Sequence, residues 1–98
     1  MKTEQTIAQA LREILSDRIM LIDGAMGTEL QRRDLTAKDF GGEEYEGCNE
    51  HLNLTRPDVI RDIHAGYYRA GSDIVETNSF GSTPLVLAEY NLADKAYE

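Results

Sequence analysis

Apolar residues recur along this chain in two registers, one helical and one extended. Ile7, Leu11, Ile14 and Leu15 fall three and four positions apart with polar residues between them, which predicts an amphipathic helix from Thr3 to about Ser16, with Thr3 placed to cap it. Ile19-Met20-Leu21-Ile22 is instead a continuous apolar run, too short for a helix and bounded by charge before and glycine after. It predicts a buried strand. Gly24 and Gly27 then break regularity, and Glu29 to Arg33 has room for a short helical turn. From Asp34 to Asn53 no period holds, and Gly41-Gly42 and Gly47 among acids predict a long irregular loop. A loop of that length leaving the end of a strand is expected to be functional.

Regularity returns at Thr55-Arg56-Pro57-Asp58, a helix start in which Thr55 caps, Asp58 completes a box-like arrangement and proline occupies the first turn. Val59, Ile60, Ile63 and Tyr67 form the apolar stripe, and Gly71 is the expected stop. Asp73-Ile74-Val75 predicts a second buried strand, ending in Glu76-Thr77-Asn78-Ser79-Phe80-Gly81. A last helix is expected with Ser82 as cap, Pro84 in its first turn and Leu85, Leu87, Ala88 and Leu92 on its apolar face. The order is helix, strand, loop, helix, strand, helix, and a β-α-β unit places its strands side by side and parallel. Two parallel strands cannot cover both of their faces alone, so the pattern predicts the opening of a larger α/β domain. Both predicted strands end in a burst of polar residues, at the carboxyl end where such folds bind their ligands.

Composition narrows the classes. The 98 residues suit one small domain, and 41% hydrophobic with 29% charged residues is the balance of a globular chain. A formal net charge of -8 argues against nucleic acid and anionic membranes as partners. No apolar run nears the roughly 20 residues of a bilayer span, and the first 18 residues lack a secretory apolar core. The single cysteine, Cys48, cannot form an internal disulfide, which fits a cytoplasmic location. Glu43, Glu44 and Glu46 cluster without the spacing of a calcium loop and read as solvated acids.

Asp23 is the sharpest candidate for chemistry: a carboxylate after four apolar residues and beside a glycine can pair with a substrate ammonium, or can cap its own turn. Glu76 and Asn78 share one face of the second strand end and Thr77 the other. They converge on a ligand beside Asp23, or else Asn78 and Ser79 satisfy loop backbone while Glu76 finds a structural partner. Gly24-Ala25-Met26-Gly27 lacks the third glycine of a dinucleotide fingerprint and the lysine of a P-loop, so its glycines serve a tight turn or close backbone approach. Cys48 alone makes neither a zinc site nor, without a positioned histidine, a nucleophile. His51, His64, Tyr67 and Tyr68 read as loop and packing residues.

Asp23-Gly24-Ala25-Met26-Gly27-Thr28, Glu46-Gly47-Cys48-Asn49-Glu50, Thr55-Arg56-Pro57-Asp58-Val59-Ile60 with Ile63-His64, and Ala70 through Gly81 recur in that order in a known family. Together they resemble the amino-terminal part of the homocysteine S-methyltransferase domain, nearest its cobalamin-dependent, methionine-forming branch, with betaine-dependent members more distant. The resemblance implies an eight-stranded β/α (TIM) barrel of which residues 1–98 supply the first two strands and flanking helices, a partial homocysteine-binding domain incomplete at its C-terminal side. It implies that Asp23, with Gly24 and Ala25, and Glu76, Thr77 and Asn78 line the pocket for the amino acid end of homocysteine. It implies zinc on the substrate sulfur, and a methyl group passed from methyltetrahydrofolate through cobalamin by downstream folate and cobalamin domains. The family's zinc ligands are three cysteines of later strands and Cys48 matches none, so neither metal ligands nor catalytic residues are expected within these residues. The chain alone is expected to be inactive. Two other readings stay open: a cobalamin-independent relative using betaine, S-methylmethionine or a fused folate reductase, and a non-catalytic fragment that pairs through exposed sheet edges.

Overall fold

A computed structural model describes residues 6–98. Helix α1 spans Ile7–Asp17 and is closed at its start by a capping box. The Gln9 N–H donates to Thr6 Oγ1 at 3.1 Å and the Thr6 N–H donates to Gln9 Oε1 at 2.8 Å, satisfying two amides the helix leaves free. The cap expected at Thr3 lies outside the described residues. No described residue of α1 is fully buried: of its apolar stripe Leu11 and Ile14 are half-buried and Ile7 and Leu15 exposed.

The two expected strands require correction. Among the described residues no strand forms; the segments after α1 and before Glu76 run side by side in parallel and make one isolated bridge, Ile22 to Ile74. Its hydrogen bonds are Asp73 N–H to Leu21 O at 2.7 Å, Ile74 N–H to Leu21 O at 3.2 Å and Asp23 N–H to Ile74 O at 3.0 Å. Position and direction match the β-α-β reading, but the burial does not: Ile19 is 83% and Ile22 58% exposed. A parallel ladder is stable when both faces are covered, and here neither is, so pairing stops after one step.

Below the bridge the two segments are clamped by charge. Arg18 donates from Nη2 to Asp73 Oδ1 at 2.8 Å and from Nη1 to Oδ2 at 3.0 Å, and the Leu21 N–H donates to Oδ2 at 2.9 Å. The Arg18 guanidinium, followed by the Leu21 amide, holds the Asp73 carboxyl down to about 2. A depressed carboxyl stabilises the fold above its ordinary value near 4 and loses that contribution as pH falls toward 2. An NMR titration should show the Leu21 amide moving with a midpoint near 2 and staying still in Asp73→Asn. A midpoint near 4 would mean the clamp is not formed.

Helix α2, Gly27–Gln31, starts slightly earlier than expected and buries Leu30. The segment from 34 to 53, expected as an irregular loop, is instead a run of packed turns. Single 3-10 turns occupy Glu43–Tyr45 and Asn49–His51, followed by α3 at Leu52–Thr55. Phe40, Cys48 and Leu52 are all buried in it. Each sits in a different turn, so their spacing carries no period. Gly41 has φ +99°, and a Cβ there would also lie 3.2 Å from both His51 and Thr55, so this turn requires glycine.

Helix α4, Pro57–Ala70, begins and ends where the sequence places it, but not with the expected cap. Thr55 belongs to α3 and its hydroxyl donates to His51 O at 3.4 Å. Arg56 stands at the N-cap without a side-chain cap bond, because a guanidinium has no acceptor to offer; its donors reach forward to Asp58, at 3.0 and 2.9 Å, and back to Asp39. Arg56 thereby holds the Asp58 carboxyl below its usual range, while Asp39 is lowered first by the Thr36 amide and then by Arg56. At the far end Gly71 takes φ +114°, and the bonds Gly71 N–H to Tyr68 O and Ser72 N–H to Tyr67 O form a Schellman closure. The last helix, α5, covers only Pro84–Leu87 and is capped by Thr83, which accepts from the Val86 N–H at 3.2 Å, not by Ser82. Leu87 and Leu92 are buried, whereas Leu85 and Ala88, expected on the same face, are exposed because the helix yields to a 3-10 turn at Ala88–Tyr90.

The core is one cluster of Leu30, Phe40, Leu52, Val59, Ile60 and Ile63, with Cys48, Leu87 and Leu92 forming a smaller second one. The rest is open. The accessible surface is 7269 Å², against about 5,600 Å² for a closed monomer of this 11.0 kDa mass. The radius of gyration is 16.4 Å, against about 13 Å for a compact domain of this length. No described helix is long and apolar enough to cross a membrane.

Candidate functional site

Where the paired segments end, their polar residues meet around a cleft of about 140 Å³. Of the residues predicted from sequence, Asp23, Gly24, Glu76, Thr77 and Asn78 line it. Ala25 does not: its carbonyl faces helix α4 and accepts from the Tyr67 hydroxyl at 2.8 Å. Gly24 makes that contact possible, since a Cβ there would lie 3.1 Å from the Tyr67 oxygen. Met26, Ser79 and Phe80 also line the cleft and were not anticipated. The available signal was their position, since each lies within a few residues of the end of a predicted strand.

Asp23 neither caps its own turn nor stands free. Both of its carboxylate oxygens lie 3.2 Å from the Glu76 N–H, so it ties the first segment end to the second. One N–H uses a fraction of the roughly four acceptor positions of a carboxylate, leaving room for a ligand's donors. The Glu76 residue is exposed at the same rim. Among the described residues no lysine or arginine lines the cleft. Two carboxylates without a basic neighbour select a cationic group such as an ammonium. The hydroxyls of Thr77 and Ser79, 2.6 Å apart, are the neutral polar groups on the far wall. Asn78 is 8% exposed, and the N–H groups of its carboxamide are directed to residues 49 and 53.

The other candidates fall away from this cleft. His51 Nδ1 lies 2.8 Å from Phe40 O and its ring tilts against Tyr45, inside the packed turns. Cys48 is 1% exposed between Leu87 and Leu92, and burial pushes its thiol up, the opposite of what a thiolate ligand needs. Among the described residues no three His, Cys, Asp or Glu side chains converge to hold a metal ion. Zinc does not fit what these residues offer.

A family model described as homocysteine S-methyltransferase matches residues 20–98. Methionine synthase of Mycobacterium tuberculosis (strain ATCC 25618 / H37Rv) is 55% identical over 85 residues, covering 87% of this chain and 7% of that protein. Methionine synthase of Mycobacterium leprae (strain TN) is likewise 55% identical over 85 residues, with the same coverage. The chain thus spans about 7% of the length of these curated relatives. Both sides of the acidic cleft lie inside the matched span, and the chain belongs to the homocysteine S-methyltransferase family.

Proposed function

We propose that residues 20–98 form the wall that grips the ammonium end of homocysteine in a larger methionine-forming methyltransferase, as the first strand–helix units of its β/α barrel. The observation that carries this is the meeting of Asp23 and Glu76 at one cleft without a basic neighbour. Asp23 pairs with the substrate ammonium, with Glu76 beside it, while the Thr77–Ser79 hydroxyl pair, one donating to the other, offers its remaining donor to the other polar end. Fixing that end aims the sulfur at the methyl donor, and the rate gained is that of orientation. Activation of the sulfur by zinc would fall to residues beyond this segment, and the donor is methyltetrahydrofolate acting through cobalamin on other domains. The likeness to two methionine synthases and the Glu46-Gly47-Cys48-Asn49-Glu50 segment support this donor over betaine.

The test is calorimetric titration of L-homocysteine into the full-length enzyme. A hydrogen-bonded charge pair contributes about 1.5–3 kcal/mol, so Asp23→Asn should weaken binding roughly 10- to 150-fold. Glu43→Gln, on the solvated acidic turn, serves as the control that should bind as the parent does. Equal affinity in Asp23→Asn and the control would refute the assignment.

A further inference from the structure

The place of Glu76, Thr77 and Asn78 is set from outside the cleft, by side chains of residues 49–53. Asn53 Nδ2 donates to Asn78 O at 2.7 Å. Asn78 Nδ2 donates in return to Asn53 Oδ1 at 3.1 Å and to Asn49 O at 2.8 Å. Three residues on, the Gly81 N–H donates to Glu50 Oε2 at 3.0 Å. These bonds matter because the ladder ends early. Past the single Ile22–Ile74 bridge, the backbone bonds within this stretch are local, Ser79 N–H to Thr77 O and Ser82 N–H to Ser79 O. Among the described residues, the other hydrogen bonds anchoring residues 76–81 to distant chain are the Glu76–Asp23 bond, the asparagine carboxamide bonds and the Gly81 N–H to the Glu50 carboxylate.

We infer that Asn53 and Asn78 are positioning residues for the ammonium site, a reciprocal carboxamide clip that holds the second segment end against Asp23. The inference rests on the proposed homocysteine reading. Asn78 is nearly buried and both of its N–H donors are directed to residues 49 and 53, so these donors serve the clip and not the substrate. The bond it protects lies two residues upstream, where the Glu76 amide meets Asp23. Losing either carboxamide leaves a buried polar partner without its bond and frees the segment to drift from the cleft.

Steady-state kinetics of the full-length enzyme, with homocysteine varied, separate this role from mere support. Asn53→Ala and Asn78→Ala should each raise KM for homocysteine roughly tenfold or more and lower kcat as well, because misplacement of about 1 Å spoils both the grip and the aim of the sulfur. The double variant should be no worse than the poorer single, since the two act as one unit. A purely structural clip would lower the amount of active enzyme, and so apparent kcat, with KM unmoved; that result overturns the proposal. Asn53→Asp keeps the acceptor for Asn78 Nδ2 but replaces the donor to Asn78 O by a carboxylate oxygen that repels it. It should also raise KM, and it carries the test if the alanine variants do not fold; an unchanged KM in it then overturns the clip. A raised KM in Asp23→Asn beside an unchanged KM in Asn53→Ala leaves the homocysteine reading standing and removes the clip. An unchanged KM in Asp23→Asn removes both.

Discussion

Purified by itself, the 98-residue chain should melt without a single cooperative transition and should bind hydrophobic dyes at room temperature. Its main core holds six buried residues, while Ile19, Leu21, Ile22 and Ile74 stay substantially exposed. The accessible surface exceeds that of a closed monomer by roughly 1,600 Å². If a little over half of that is apolar, covering it is worth on the order of 20 kcal/mol at about 25 cal/mol per Å². That is an upper figure, but even half of it rivals the entire stability of an ordinary domain, about 5–15 kcal/mol. The open face therefore decides the outcome for the chain in isolation. Scanning calorimetry is the measurement: one sharp peak with equal calorimetric and van't Hoff enthalpies would show that the core suffices.

In the larger protein proposed above, Leu52→Ala is expected to be the costliest single truncation in this segment. Leu52 is fully buried, at 0% exposure, in the cluster that joins the packed turns to α4. Removing a buried leucine to alanine costs about 2–5 kcal/mol, the upper end applying where neighbours cannot collapse into the space. Phe40 in the packed turns and Val59 and Ile63 on α4 belong to two separately anchored pieces of chain, which favours the upper end. Leu52→Met preserves most of the volume and should cost less than about 1.5 kcal/mol. Urea midpoints for the two variants check this, and a Leu52→Ala loss no larger than that of Leu52→Met would show the cluster to be plastic.

Elements whose ends are set by neighbouring residues were legible in the sequence. Helix α4 is the clearest case, opened by Pro57 and stopped by Gly71, each acting through its own backbone. The segments around Ile22 and Ile74 were legible as apolar runs and as a parallel pair, but not as one bridge without strands. Ladder length depends on cover for both faces, and that cover is not encoded in the runs themselves. The packed turns from 34 to 53 were hidden because Phe40, Cys48 and Leu52 are buried one turn at a time, at no fixed period. Caps slipped by small steps: Thr83 replaced Ser82, and Arg56 replaced Thr55 once α3 ran through that position. At the cleft, Asp23 and Glu76 stood out as carboxylates closing apolar runs. Asn53 did not, because the atom it serves lies 25 residues away and nothing local marks it.

The bond between Asp23 and Glu76 spans 53 positions, and this separation sets a clock. Helices α3 and α4 meet through near neighbours, whereas closing a loop of about 50 residues costs some 3.5 kcal/mol of chain entropy before any contact repays it. Local turns should therefore form first and the cleft last. On a ribosome adding about 5–20 residues per second, Asp23 waits about 3–10 s for the amide it will accept. Throughout that interval the nascent apolar run ahead of it has no parallel neighbour, which marks Ile19 to Ile22 as the stretch a chaperone would meet.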